Sequence, residues 1–169
     1  MLSTIFEIFR TFPMILMIIS FMDSILYKNL YSFWLFIGLL LNGLIWEVST
    51  KYISLNWPSL EDRPNRYHCA YYESNEPITS GGLPSGHCQS MAFFVTWVIL
   101  IIWYNQGDIK INIIISIIIG VSLIYMMMYS RVMYYRCHTW LQAIIGSFVG
   151  ISTAIIMWYS LRYLNLLNN

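Results

Sequence analysis

The sequence is poor in charge. Only 10% of its 169 residues are Asp, Glu, Lys or Arg, and these nearly cancel to a net charge of +1. That balance offers no basic surface for nucleic acid. Three cysteines are too few for a disulfide framework. Cys69 and Cys88 can pair if their loop faces an oxidising compartment; two separate buried thiols are the plainer expectation. No Asn-x-Ser/Thr acceptor occurs, so glycosylation gives no clue to sidedness. The N-terminus has no basic leader and no small-residue cleavage site, and it carries Glu7 and Arg10, so it does not read as a removed signal peptide.

What is abundant is apolar surface. Hydrophobic residues make up 58% of the chain, in runs that approach the ~20 residues needed to cross a bilayer. The expected fold is all-α: a multi-pass transmembrane bundle of about five spans, with its site at one membrane face. One membrane domain over 1–169 is expected, with an N-terminal helix in 1–30 and a core over 31–161 that carries a polar loop at 51–86.

Residues 1–12 are amphipathic and either lie at the interface or begin the first span, placed at 11–27. Asp23 reads as a cap near the membrane surface. The second span is 31–49, where Asn42 is expected to bond between helices. The stretch 51–86 holds half of the acidic residues, and loops of that length are usually functional; Trp57, Tyr67, Tyr71 and Tyr72 suggest packing at the interface. Spans at 85–104, 111–129 and 138–161 follow. In the last, Gly146, Gly150 and Ala154 form a small-residue stripe suited to close packing within the bundle. Two spans separate the 51–86 loop from the 130–137 link, so both lie on the same side of the membrane.

The chemistry gathers on that side. Leu83-Pro84-Ser85-Gly86-His87 follows Gly81-Gly82 and opens an apolar run. Such a helix start presents unpaired N–H groups and the positive end of a dipole to an anion. His87 adds a proton carrier near neutral pH. Arg63, Arg131 and His138 join it from the loop and the link. Arginine grips phosphate through a planar fork. One neutral imidazole can attack phosphorus while another protonates the leaving oxygen. Gln142, four residues past His138, is placed to accept from its ring and fix the tautomer. His68-Cys69, His87-Cys88 and Cys137-His138 are ligand types that zinc takes, but without zinc spacing. No metal and no cofactor are expected.

Arg63-Pro64, Pro84-Ser85-Gly86-His87 and Ser130-Arg131 with His138 resemble the three signatures of the type 2 phosphatidic acid phosphatase superfamily: Lys-x6-Arg-Pro, Pro-Ser-Gly-His and Ser-Arg-x5-His-x3-Asp. The resemblance runs from about Leu41 to Gly150. His138-Thr139-Trp140-Leu141-Gln142 and Leu41-Asn42 look most like the dolichyldiphosphatase branch. The resemblance implies His138 as nucleophile and His87 as acid. It implies Lys51, Arg63, Arg131, Ser85 and Gly86 as the phosphate grip, no metal, and a site on the non-cytosolic side of the membrane, of endoplasmic-reticulum type if the source is eukaryotic. The implied substrate is a lipid-linked diphosphate cut through a phosphohistidine. Phosphatidate or phosphatidylglycerophosphate hydrolysis, lipid phosphotransfer, and lipid-phosphate binding without catalysis are the alternatives.

Three departures from the signatures bear on this. Eleven residues separate Lys51 from Arg63, where the family has six. Six separate Arg131 from His138, where the family has five; either a local bulge absorbs the extra residue or Arg136 takes part of the role. Gln142 stands for the usual Asp.

Overall fold

A bilayer leaves no water for backbone polar groups, so an apolar chain must satisfy them within helices. The computed structural model describes residues 2–60, 62–64, 69, 81–106 and 110–167, with side chains for all of these except 2–5, 106, 110 and 111. Among them no strand occurs. Five long helices are present: α1 (Leu2–Leu26), α2 (Leu30–Asn56), α3 (Gly86–Gln106), α4 (Lys110–Tyr129) and α5 (Trp140–Tyr163). All five contain segments long and apolar enough to cross a membrane. His68, Tyr67, Tyr71 and Tyr72 lie outside the described residues.

Two boundaries differ from the sequence reading. The amphipathic N-terminal segment is the first part of α1, continuous through Pro13. The second helix runs past Ser49 to Asn56, and Trp57 closes it with an N–H to the Ile53 carbonyl at 2.7 Å. Lys51 is therefore helical, not the start of a loop. Asn29 caps α2, accepting from the N–H groups of Tyr31 and Ser32. Asp23 accepts from the Ser32 hydroxyl and ties the α1–α2 turn.

α3 is the hub, packed most extensively on α5 and also touching α4, α2 and α1. Lipid tails are as apolar as leucine, so close packing rather than burial from water holds such helices together. The stripe on α5 supplies it: Gly146 lies on the Ser85 backbone and Gly150 on the Gln89 backbone, and Ala154 is fully buried. A Cβ at Gly146 would stand 2.5 Å from the Ser85 carbonyl oxygen. Between α2 and α3, the Gln89 amide donates to the Asn42 side-chain oxygen at 2.9 Å and to its carbonyl at 3.0 Å. Asn42 thus makes the expected interhelical bond. An aromatic core of Phe93, Trp97 and Trp158 fills the middle of the bundle. A second cluster with Phe6, Phe9, Met91, Met127 and Ala143 sits nearer the loop face.

Between α4 and α5 the chain makes a π-helical turn over Ser130–Tyr134. A π-turn accommodates one residue more than the α-helical path. Arg136 follows with φ +54°, and the chain folds back so that Cys137 and His138 both donate to the Arg131 carbonyl, at 2.8 and 3.3 Å. The six residues between Arg131 and His138 thus run through a π-turn and a reversal at Arg136. Arg136 itself is exposed.

The cysteines pair differently from either expectation. Cys69 is bonded to Cys137, and Cys88 is a buried free thiol. Cys88 lies on the first turn of α3 and points into the bundle, whereas Cys137 lies on the link beneath the polar loop. The disulfide therefore staples loop to link.

Candidate active site

The start of α3 is held from two sides. Ser85 N–H donates to the Gln142 carbonyl at 3.1 Å, and the Trp46 indole donates to the Pro84 carbonyl at 3.0 Å. Gly86 lies against the Trp46 ring, where a Cβ would come within 3.2 Å of the indole nitrogen. The Ser85 hydroxyl caps nothing: it is fully buried, with the Cys88 thiol one turn on as its neighbour. A plain helix cap would use that oxygen on a backbone N–H.

His138 is 2% exposed. Its Nδ1 is 2.9 Å from the Gly82 carbonyl, and its Nε2 is 3.3 Å from Nη1 of Arg63. A carbonyl only accepts and a guanidinium only donates. The proton is therefore assigned to Nδ1, and the Nε2 lone pair is directed at Arg63. The Gly82 carbonyl is the nearer acceptor on Nδ1, and the Gln142 side chain makes the smaller contact with the His138 ring that the spacing anticipated. The Gln142 amide also ties backbone together: its nitrogen donates to the carbonyls of Leu60 and Asp62, at 3.0 and 3.1 Å. Its oxygen accepts from Thr139 N–H at 3.1 Å, completing a capping box on α5. Gln142 braces the loop over His138.

Burial holds the His138 imidazole well below the usual histidine pKa of 6.5, and the Arg63 and Arg131 charges push in the same direction. The ring is neutral at physiological pH, the state in which Nε2 is nucleophilic.

Arg63 is also anchored by the Gly81 carbonyl, 2.5 Å from Nη2. Arg131 is fully buried, donates to the Cys69 carbonyl at 2.7 Å, and lies over the Tyr135 ring at 5.4 Å. His87 is buried, with Nε2 3.0 Å from the Arg10 carbonyl of α1. That carbonyl assigns a proton to Nε2, so Nδ1 is the nitrogen whose protonation can change. His87 feels the charges of Arg131, Arg63 and His138, and His138 those of the same two arginines. The four groups form one cluster.

Lys51 does not join it. Its side chain is 73% exposed, and its ammonium pairs with Glu47 one turn back, at 2.7 Å. The helical course of 51–56 carries it along the outside of α2. Sequence reasoning missed the Gly81 and Gly82 carbonyls, Trp46, and the contacts of α1 through Glu7, Arg10 and Tyr135. Gly81-Gly82 stood beside the motif, but nothing in a sequence says which carbonyl a ring will meet.

The class is thus an integral membrane helical bundle that draws two buried imidazoles and two guanidiniums together at one face. A model of the PAP2 superfamily matches residues 31–166, and the chain belongs to that superfamily. Its members are phosphatases, and at that level the chain is a lipid-phosphatase-type membrane protein. Comparison with curated proteins and with solved structures gave no match.

Proposed function

We propose that the protein hydrolyses the diphosphate of a membrane-held lipid, a polyprenyl diphosphate of the dolichyl type, through a covalent phosphohistidine at His138. The observation that carries this reading is the His138 ring: Nδ1 on a carbonyl, Nε2 facing a guanidinium. A terminal phosphoryl group entering there takes over the donors of Arg63, with Arg131 and the Ser85–Gly86 helix start holding its other oxygens. Nε2 attacks phosphorus, the N–P bond forms, and the bridging P–O bond breaks. The bound diphosphate's negative charge offsets Arg63 and Arg131, His87 is then protonated on Nδ1, and it is this Nδ1 proton that passes to the departing lipid phosphate. Water then attacks the phosphohistidine, His87 takes back a proton, and inorganic phosphate leaves.

The neutral partner on Nδ1 favours a diphosphate over a monoester. Attack turns the ring into an imidazolium, and a carbonyl stabilises it less than a carboxylate does, by about 1 kcal/mol. That difference is several-fold in rate. An anhydride, with its better leaving group, tolerates the loss; an alkyl monophosphate does so less. The Cys69–Cys137 bond fits a site on the non-cytosolic side, because disulfides persist in oxidising compartments.

The test is phosphate release by purified protein in detergent from polyprenyl diphosphate, polyprenyl monophosphate and phosphatidate, with and without EDTA. Highest kcat/KM on the diphosphate, insensitivity to EDTA, and loss in His138→Ala are expected. Preference for phosphatidate would overturn the substrate assignment. Binding without release would overturn the catalytic one.

A further inference from the structure

α1 lies outside the residues matched to the superfamily, which begin at Tyr31. Yet α1 reaches the cluster at two points. The Arg10 carbonyl accepts from His87 Nε2 at 3.0 Å. One turn earlier the Glu7 carboxylate pairs with the Arg10 guanidinium at 2.6 Å and accepts from the Tyr135 hydroxyl at 2.9 Å. The ring of that same Tyr135 lies under Arg131. A continuous chain of contacts therefore runs from the His87 ring through Arg10, Glu7 and Tyr135 to the Arg131 guanidinium.

The chain is rigidly seated. Arg10 is 8% exposed, and Phe6 and Phe9 pack in the cluster that contains Met91, Met127 and Tyr135. The Phe6 ring stacks on Tyr134 at 4.3 Å. A salt bridge on a free helix surface contributes little. Here Glu7 bridges two different elements, α1 and the link that carries Arg131, so its loss is felt in both.

From this geometry we infer that α1 is a working part of the active site, and that Glu7 and Tyr135 are positioning residues that hold the acid His87 against the arginine Arg131. The inference rests on the reading of His87 as the proton donor. A general acid helps in proportion to how badly the leaving group needs a proton, and contributes about 10²–10⁴-fold where the need is great. Misplacing His87 therefore harms slow-leaving esters and spares fast-leaving ones. A variant that only weakens the fold harms both alike.

The experiment uses the full-length protein with two water-soluble esters, phenyl phosphate and p-nitrophenyl phosphate. Phenolate is a poor leaving group, with a pKa of about 10, like tyrosine; the nitro group lets its phenolate depart without a proton. In both Glu7→Gln and Tyr135→Phe, kcat on phenyl phosphate is expected to fall about tenfold or more, with less than about a twofold change on p-nitrophenyl phosphate. Equal losses on the two esters, or no loss on either, overturn the inference. Tyr135→Phe carries the test if Glu7→Gln does not fold. Wild-type protein that releases phosphate from neither ester or from lipid diphosphate would instead sink the catalytic reading beneath it.

Discussion

Gly146→Ala puts one methyl group where α5 meets the start of α3. The added Cβ stands 2.5 Å from the Ser85 carbonyl oxygen and 2.9 Å from its nitrogen, whereas ordinary contact begins at 3.4 Å. Both neighbours are backbone, so no side chain can swing aside, and the Ser85 turn must retreat by about 0.9 Å. The same movement stretches the 3.1 Å bond from Ser85 to the Gln142 carbonyl. Overpacking of this kind costs about 1–3 kcal/mol in stability. A displacement of about 1 Å in a catalytic group costs up to about 10²-fold in rate. The control is Gly43→Ala on α2, whose Cβ meets nothing within 4 Å; it gains helix propensity, up to about 1 kcal/mol. The assay is phosphate release from polyprenyl diphosphate beside thermal melts of both variants. Gly146→Ala is expected to lose about 10–100-fold in kcat/KM, with Gly43→Ala unchanged. If Gly146→Ala melts lower yet turns over like wild type, Ser85 is not part of the phosphate seat.

Lys51→Ala is expected to stay within about twofold of wild type, since an exposed helix pair contributes little, whereas Arg63→Ala loses about 10–100-fold through a missing charge-assisted bond to phosphate; measured kcat/KM values in the reverse order contradict the site. Neutral His138 is the attacking form, and burial with two arginine charges keeps it neutral below pH 6.5. The acid limb of kcat/KM, which reports the free enzyme, is therefore expected below 6.5, and a limb at or above that value argues against His138 as nucleophile. Dithiothreitol, or Cys69→Ser, frees Cys69, whose carbonyl holds Arg131, and about a tenfold loss of turnover is expected from that bond; activity indifferent to reduction removes the disulfide from the account.

The spans were legible because a bilayer forces long apolar runs into helices. The stripe of Gly146, Gly150 and Ala154 was legible because close helix contact needs small residues. His87, His138, Arg63 and Arg131 were legible as a group because counting spans puts their segments on one face. The longer spacing before His138 showed as a mismatch with the signature, but the π-turn in that link had no local signal. Other features had no such signature. Lys51 looked like the start of a loop because Lys, Asn and Ser thin out the apolar pattern, but the Glu47 pair and the run through Tyr52 and Ile53 keep the helix going. Gln142 shares a face with His138 and touches its ring, but its bonds to the Leu60, Asp62 and Thr139 backbone had no local signature. The Cys69–Cys137 pairing and the part played by α1 depend on tertiary placement across 68 and 77 residues of sequence, which no local pattern encodes.

The most direct test of the account is a trapping experiment. Protein mixed briefly with polyprenyl diphosphate labelled in its terminal phosphate is denatured in alkali and digested. Label that is stable in alkali, labile in acid, carried by the peptide containing His138 and absent from His138→Ala is the predicted result. A wild-type enzyme that turns over while no peptide is labelled, or label that persists in His138→Ala, contradicts it.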